Sequence, residues 1–339
     1  MGAVAGGAPP LAPGPRGTLD AGELAAFKRD GFFIRRGIIP PELCAAARDR
    51  LWELNETTQL DRADPSSWVG PLTGGDLSGE SSNARTAYRW NCRVPGGEDV
   101  LKDALPRNPI VLAIVKQLLG WGRVADPLSE QRGTRGVYCT LPMGDKNKSK
   151  NSCHIDDYVD SRGRIACVAY IDDVRPGAGS FTVWPGSHHK FYRYLSTRED
   201  GVSNGYDPGA TKKNGSGGPD SRPTWALGMQ AAWDVVEANT TPVDCWGSAG
   251  TVVFYHNNLG HMAGSNYGDN IRQATLTGFG LTEEALPDQD LLAHALNSDI
   301  WRDWSAEVQG VGDDFGTVGD RAGAQMPDTR PMWYARGKL

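Results

Sequence analysis

In the middle of the chain, Asn151-Ser152-Cys153-His154-Ile155-Asp156-Asp157 sets an imidazole and a carboxylate two residues apart. Extended backbone alternates its side chains between faces, so His154 and Asp156 project from one side and form a chelate for a divalent metal. Such a chelate wants a third ligand from elsewhere. Two histidines and one carboxylate on one face of an octahedron leave three positions open, the arrangement of non-haem Fe(II) oxygenases. Taken alone, the pair also suits a strand-end histidine capping a turn beside a solvated Asp-Asp, so the downstream context has to decide.

The third ligand is expected late, between Ala249 and Asn266, where His256 and His261 are both candidates. His261 is preferred because Arg272 follows it by eleven residues, at the start of the next expected strand. From there a guanidinium can face the same pocket, and its fixed fork of donors matches a carboxylate in bidentate fashion. The competing readings are His256 as the ligand, His261 as a core or loop histidine, and Arg272 as a surface ion-pair partner. His188 and His189 follow Pro185-Gly186 and read as a structural turn. Cys153, Trp68 and Trp90 read as packing, and Lys146, Lys148 and Lys150 as a solvated loop.

The elements that must position these groups are mostly short strands. Asp20 and Glu23 form a capping box for a helix that carries Leu24 and Phe27 and stops at Gly31. A strand is expected over Phe32–Ile39, then a helix from Pro40-Pro41-Glu42 with Leu43, Ala47, Leu51 and Leu54 on one face. Residues 56–100 read as loop with short strands, and a third helix runs from Asn108 to Leu119 with Gly120 closing it. Strands follow at Gly136–Leu141, Ile165–Ile171, Ser180–Trp184, Thr251–Tyr255 and Gln273–Phe279. Their number, brevity and late return predict a mainly β protein with flanking helices, a jelly roll of the cupin type.

Composition bounds the rest. The 339 residues are 39% hydrophobic and 22% charged, with a net charge of -6, so no basic face advertises nucleic acid or an anionic membrane. Forty-three glycines and 22 prolines fit a turn-rich β scaffold. Six scattered cysteines without a Cys-x-x-Cys pair exclude a zinc ribbon and predict free thiols in a reducing, cytoplasmic setting. The start lacks a secretory pattern, Gly6 stands where myristoylation wants a hydroxyl residue, and no apolar run is long enough to span a bilayer.

With these blocks in order, the chain resembles the phytanoyl-CoA dioxygenase (PhyH) family. The resemblance rests on the first helix with Gly31-Phe32-Phe33-Ile34 and Gly37-Ile38-Ile39-Pro40-Pro41-Glu42-Leu43. It continues in His154-x-Asp156, in Trp184-Pro185-Gly186-Ser187-His188, and in His261 followed by Asn266 and Arg272. It covers roughly residues 18–285. It implies a double-stranded β-helix that uses Fe(II), 2-oxoglutarate and O2, with His154, Asp156 and His261 on iron and Arg272 on the distal carboxylate of 2-oxoglutarate. One departure stands out: many members carry a hydroxyl residue two places after the distal histidine, where this chain has Ala263, and Ser265 is the candidate substitute. Halogenases of this chemistry leave the carboxylate position empty, so Asp156 points instead to hydroxylation, or to desaturation or cyclisation.

The expectation is therefore a dioxygenase acting on a small organic molecule, with no nucleic-acid or membrane partner. Its rivals are a non-catalytic cupin-like metal-binding protein and a zinc hydrolase. The domain layout expected is a disordered tail over 1–17, the oxygenase domain over 18–285 with a polar insert at about 191–243, and a helical extension over 286–339 packing on the core. Substrate and oligomeric state are not readable from the rim loops.

Overall fold

The computed structural model describes residues 17–77, 79–80, 83–128, 133–144, 153–155, 163–196, 233–286 and 299–312. Asp156, the lysines at 146, 148 and 150, most of the 191–243 insert and nearly all of the expected tail lie outside the described residues.

The first helix, α1 (Ala21–Asp30), forms as its capping box dictates. The Asp20 carboxylate accepts from the Glu23 N–H at 2.9 Å, and Glu23 accepts from the Asp20 N–H at 2.9 Å. Gly31, at φ 81°, ends the helix, and a Cβ there would meet the His188 ring at 2.5 Å, so both conformation and space demand glycine. The strand that follows, β1 (Phe32–Arg35), is shorter than expected. Gly37 turns the chain at φ 67°, and the Ile38 and Ile39 N–H groups donate to the Gly250 carbonyl at 2.9 and 3.1 Å instead of extending a ladder.

Helix α2 (Pro41–Glu53) starts on its prolines and buries Cys44, Ala47 and Leu51, leaving Leu43 and Leu54 half-buried. The 56–100 region holds three short strands, β2 (Gly79–Glu80), β3 (Asn83–Thr86) and β4 (Arg89–Cys92). It also begins a helix the sequence did not suggest, α3 (Asp99–Ala104), which is only six residues long. Helix α4 (Pro109–Leu119) is capped by Asn108, whose side chain accepts from the Ile110 and Val111 N–H groups.

Two antiparallel sheets complete the scaffold. The larger adds β5 (Val137–Thr140), β6 (Ile165–Tyr170), β9 (Val252–His256) and β11 (Arg272–Phe279), in the order β1-β9-β6-β11-β5-β4-β3-β2. The smaller is β10 (His261–Ala263), β7 (Phe181–Val183) and β8 (Val243–Cys245), with β7 in the middle. The protein is mainly β with flanking helices, a double-stranded β-helix.

Strand parity divides the core. Cys167, Ala169, Val252, Phe254 and Phe279 face outward and meet Phe27, Ile114, Leu118, Trp301 and Trp304. Val168, Tyr170, Val253, Tyr255 and Ala274 face inward and meet Phe181, Val183 and Cys245 of the small sheet. Central strands covered on both sides are buried at every position, as β6 and β9 are. A third cluster joins Ala47 and Leu51 of α2 to Trp90, Cys92, Val137 and Cys139. All six cysteines are buried and free, and burial raises the Cys44 and Cys92 thiols to about 11. Among the described residues no helix is long and apolar enough to cross a membrane.

Candidate metal centre

The inward side of the double sheet gathers the residues with chemistry to offer. His154 and His261 form an isolated antiparallel bridge, each N–H donating to the other's carbonyl at 2.9 Å. Reciprocal bonding of this kind places both side chains on one side of the pair. That side is the interior, because β10 pairs with β7 in a register that sets His261 beside Val183 and Ala263 beside Phe181. His261 is buried and contacts the rings of Phe181 and Tyr255, with centroids 5.1 and 5.0 Å away. His154 is exposed.

The two imidazole centroids lie 4.5 Å apart. Imidazoles at adjacent corners of one octahedral metal, each bound at about 2.1 Å, would place their centroids about 4.6 Å apart. The spacing fits a shared ion. The His261 tautomer fits as well: its Nδ1 lies 2.8 Å from the Leu259 carbonyl, which can only accept, so the proton sits on Nδ1 and the lone pair on Nε2. The carboxylate of the chelate, Asp156, lies outside the described residues. Among the described residues no group of three metal-binding side chains occurs.

His256, the other late candidate, points the opposite way. It sits at the end of β9 and stacks on Trp304 at 5.1 Å, near His188 and Trp301 in the outer layer. Its Nδ1 accepts from the Asn258 N–H, and burial lowers its pKa to about 3. His188 and His189 do not form the expected turn; they open helix α5 (Ser187–Ser196), and both Nε2 atoms donate to the Lys28 carbonyl, at 3.0 and 2.8 Å. Burial holds His188 well below the ordinary histidine range. Cys153 packs with Trp184, Phe191 and Met262, and Trp90 is core.

Arg272 opens β11 and is 5% exposed. Its Nε donates to the Gly179 carbonyl at 2.9 Å and its Nη1 to the Tyr138 carbonyl at 3.0 Å. These two bonds fix the plane of the guanidinium. Burial lowers its pKa, and no carboxylate among the described residues pairs with it. Cross-strand partners share a face, so the register Arg89↔Thr140 and Arg272↔Thr140 sets three polar side chains in one row on the inner wall. Arg89, which sequence reasoning missed inside a segment read as loop, donates from Nη1 to the Thr140 hydroxyl at 3.3 Å. Its pKa is lowered to about 10, by burial and by the charge of Arg272. The Ser265 hydroxyl is buried without a hydrogen-bond partner, two residues beyond Ala263.

No curated protein sequence matches the chain. Among solved structures, the epimerase SnoN from nogalamycin biosynthesis is 18% identical, with 77% of this chain and 82% of that chain covered and a TM-score of 0.41. EctD from S. alaskensis with 2-oxoglutarate and 5-hydroxyectoine is 15% identical, with 77% and 76% covered and a TM-score of 0.46. HygX from Streptomyces hygroscopicus with iron bound is 16% identical, with 78% and 88% covered and a TM-score of 0.41. Likeness at this level says nothing of the reaction run here. The family model for phytanoyl-CoA dioxygenase (PhyH) matches residues 27–274, most of the chain and every candidate ligand, and the protein belongs to that family of iron- and 2-oxoglutarate-dependent oxygenases.

Proposed function

We propose that the protein is an Fe(II)/2-oxoglutarate-dependent dioxygenase that hydroxylates a C–H bond of a small organic substrate, releasing succinate and CO2. The observation that carries this reading is Arg272, a buried guanidinium without an acidic partner among the described residues, on the inner wall of the barrel that also holds the His154–His261 pair. A buried charge left unpaired is costly, and the cost is offset when a ligand supplies the counter-charge.

In this reading His154, Asp156 and His261 hold the iron, and Arg272 holds the far carboxylate of 2-oxoglutarate. Bound iron and 2-oxoglutarate supply the oxygen activation that breaks the C–H bond. The Leu259 carbonyl fixes the proton of His261 on Nδ1 and so presents Nε2 to the metal. Phe181 and Tyr255 pack about that ring and keep water from it. As the carboxylate ligand of this set, Asp156 would fill the position that halogenation needs vacant, which favours hydroxylation.

A hydrolase has no evident use for a carboxylate clamp at Arg272, which weighs against a zinc-water mechanism. The test is succinate release with Fe(II), O2 and 2-oxoglutarate across a library of small organic substrates. Substrate-coupled succinate is expected. Turnover that needs zinc and no oxygen, or no 2-oxoglutarate binding by calorimetry with Mn(II), overturns the proposal.

A further inference from the structure

Residues 299–312 lie beyond the stretch that the family model matches, and they close the outer layer of the large sheet. The Trp301 and Trp304 rings are buried, and both pack on Phe27 of α1. Lys28, itself buried, donates from Nζ to the Val311 carbonyl at 2.7 Å and lies over the Trp301 ring at 5.8 Å. The Ser305 N–H donates to the Leu118 carbonyl at 3.0 Å, and the Arg123 guanidinium to the Asp303 carbonyl at 3.1 Å.

The two indoles cover a row of imidazoles. His188, His189 and His256 have their centroids 5.6, 6.0 and 5.4 Å from Trp301, and His256 also stacks on Trp304. His188 and His256 are buried, 5.2 Å apart, and each has one ring nitrogen without a hydrogen-bond partner. At His188 that atom is Nδ1, which carries the lone pair because Nε2 donates to the Lys28 carbonyl. A proton arriving there finds no acceptor. At His256 the Nδ1 lone pair is engaged by the Asn258 N–H, so protonation breaks that bond. Around the pair, α1 brings Lys28 and the Arg29–Asp30 ion pair, α5 brings His189, and the segment brings Asp299 and the Arg302–Asp303 ion pair. Of these neighbours only His189 acts on the charge of His188 and His256, and it does so as a like charge.

We infer that the 299–312 segment is an acid-opened strap, which leaves the outer face when the imidazoles beneath it take up protons while the two sheets stay folded. This does not rest on the function proposed above. Closure withholds from His188 and His256 the water that stabilises their charged forms, and opening restores it. Burial holds both below the ordinary histidine value near 6.5, so under that pH the open state binds more protons than the closed one, and acid favours opening. Each imidazole that charges on opening shifts the balance about 10-fold per pH unit.

Hydrogen–deuterium exchange of the full chain, read by mass spectrometry at pH 7.5 and 5.5 and corrected for the intrinsic pH dependence of amide exchange, tests this. Protection of the 299–312 peptide should lie below that of peptides from β6 and β11 at both pH values. From pH 7.5 to 5.5 it should fall about 10-fold if one imidazole charges on opening and about 100-fold if both do. Carboxylates titrate below this window. In the double variant His188→Gln/His256→Gln, whose amides do not titrate, most of that fall should disappear. Equal protection of segment and sheets, which means that the segment leaves only on global unfolding, overturns the inference. So does a segment equally protected at both pH values, or an undiminished fall in the double variant. The wild-type peptides decide by themselves if the double variant does not fold.

Discussion

His256 and His261 are five residues apart, and the protein uses them in opposite ways. His261 faces the barrel interior, its Nδ1–H donating to the Leu259 carbonyl and its ring 4.5 Å from that of His154. His256 faces the helices, where it and His188 are packed among Trp301, Trp304 and Lys28 and kept neutral by burial. The residue type is the same in both regions. Which face of the sheet it lands on decides whether an imidazole presents its lone pair for coordination or serves as a flat polar plate in the core.

The comparison breaks most decisively at the inner pair. Substituting His154, Asp156 or His261 with Ala should cut iron-dependent succinate formation by more than about 100-fold, since even outer-shell partners of a metal cost 10–100-fold. Melting temperature should move little. Retained turnover in any one of these variants removes that residue from the centre.

The outer cluster should answer in stability instead. Trp304 is 1% exposed and stacks on His256, and Trp304→Ala should cost about 3–5 kcal/mol in denaturant unfolding. Succinate formed per folded molecule should stay near the wild-type value. A milder handle is pH. Native His188 and His256 titrate below their unfolded value, which is near 6.5, so the unfolded chain takes up protons first as pH falls. Stability is then fully present above about pH 6.5 and declines below it, by about 1.4 kcal/mol per pH unit per histidine, until the native groups titrate, near pH 3 for His256. Unfolding free energies measured between pH 7 and 5 should show that decline, and His256→Gln should flatten it. The smallest effect sharpens the contrast: His256→Gln should leave succinate formation within about threefold of wild type at pH 7, as expected of a group outside the site. A profile that does not change in His256→Gln contradicts the outer role.

Much of this arrangement is legible without coordinates. Asp20, Glu23 and Gly31 spell the limits of α1, Asn108 and Gly120 those of α4, and the β-branched and aromatic stretches at 136–141, 165–171, 251–255 and 273–279 give the large sheet's central strands to within a residue. Where the sequence falls short, the cause is local. Strands β8 and β10 are three residues each, too short for any alternation to register, and their pairing partners create them. His256 and His261 stay ambiguous in the sequence because a loop separates them, and parity cannot be counted through a loop. Arg89-Trp90-Asn91-Cys92 alternates polar and apolar residues, but for four residues only, inside a stretch without a clear period, so only the ladder to β5 shows that Arg89 lines up with Arg272. His188 and His189 mislead for a different reason. Pro-Gly before them is a real turn signal at Gly186, φ 73°, but a helix starts immediately after it.

The bridge between His154 and His261 is made by two backbone hydrogen bonds, each 2.9 Å long. The separation of these two imidazoles is consequently a main-chain dimension, inherited from how neighbouring strands space themselves. Side-chain exchange around the entrance can alter which molecules are admitted while the grip on the ion keeps its width.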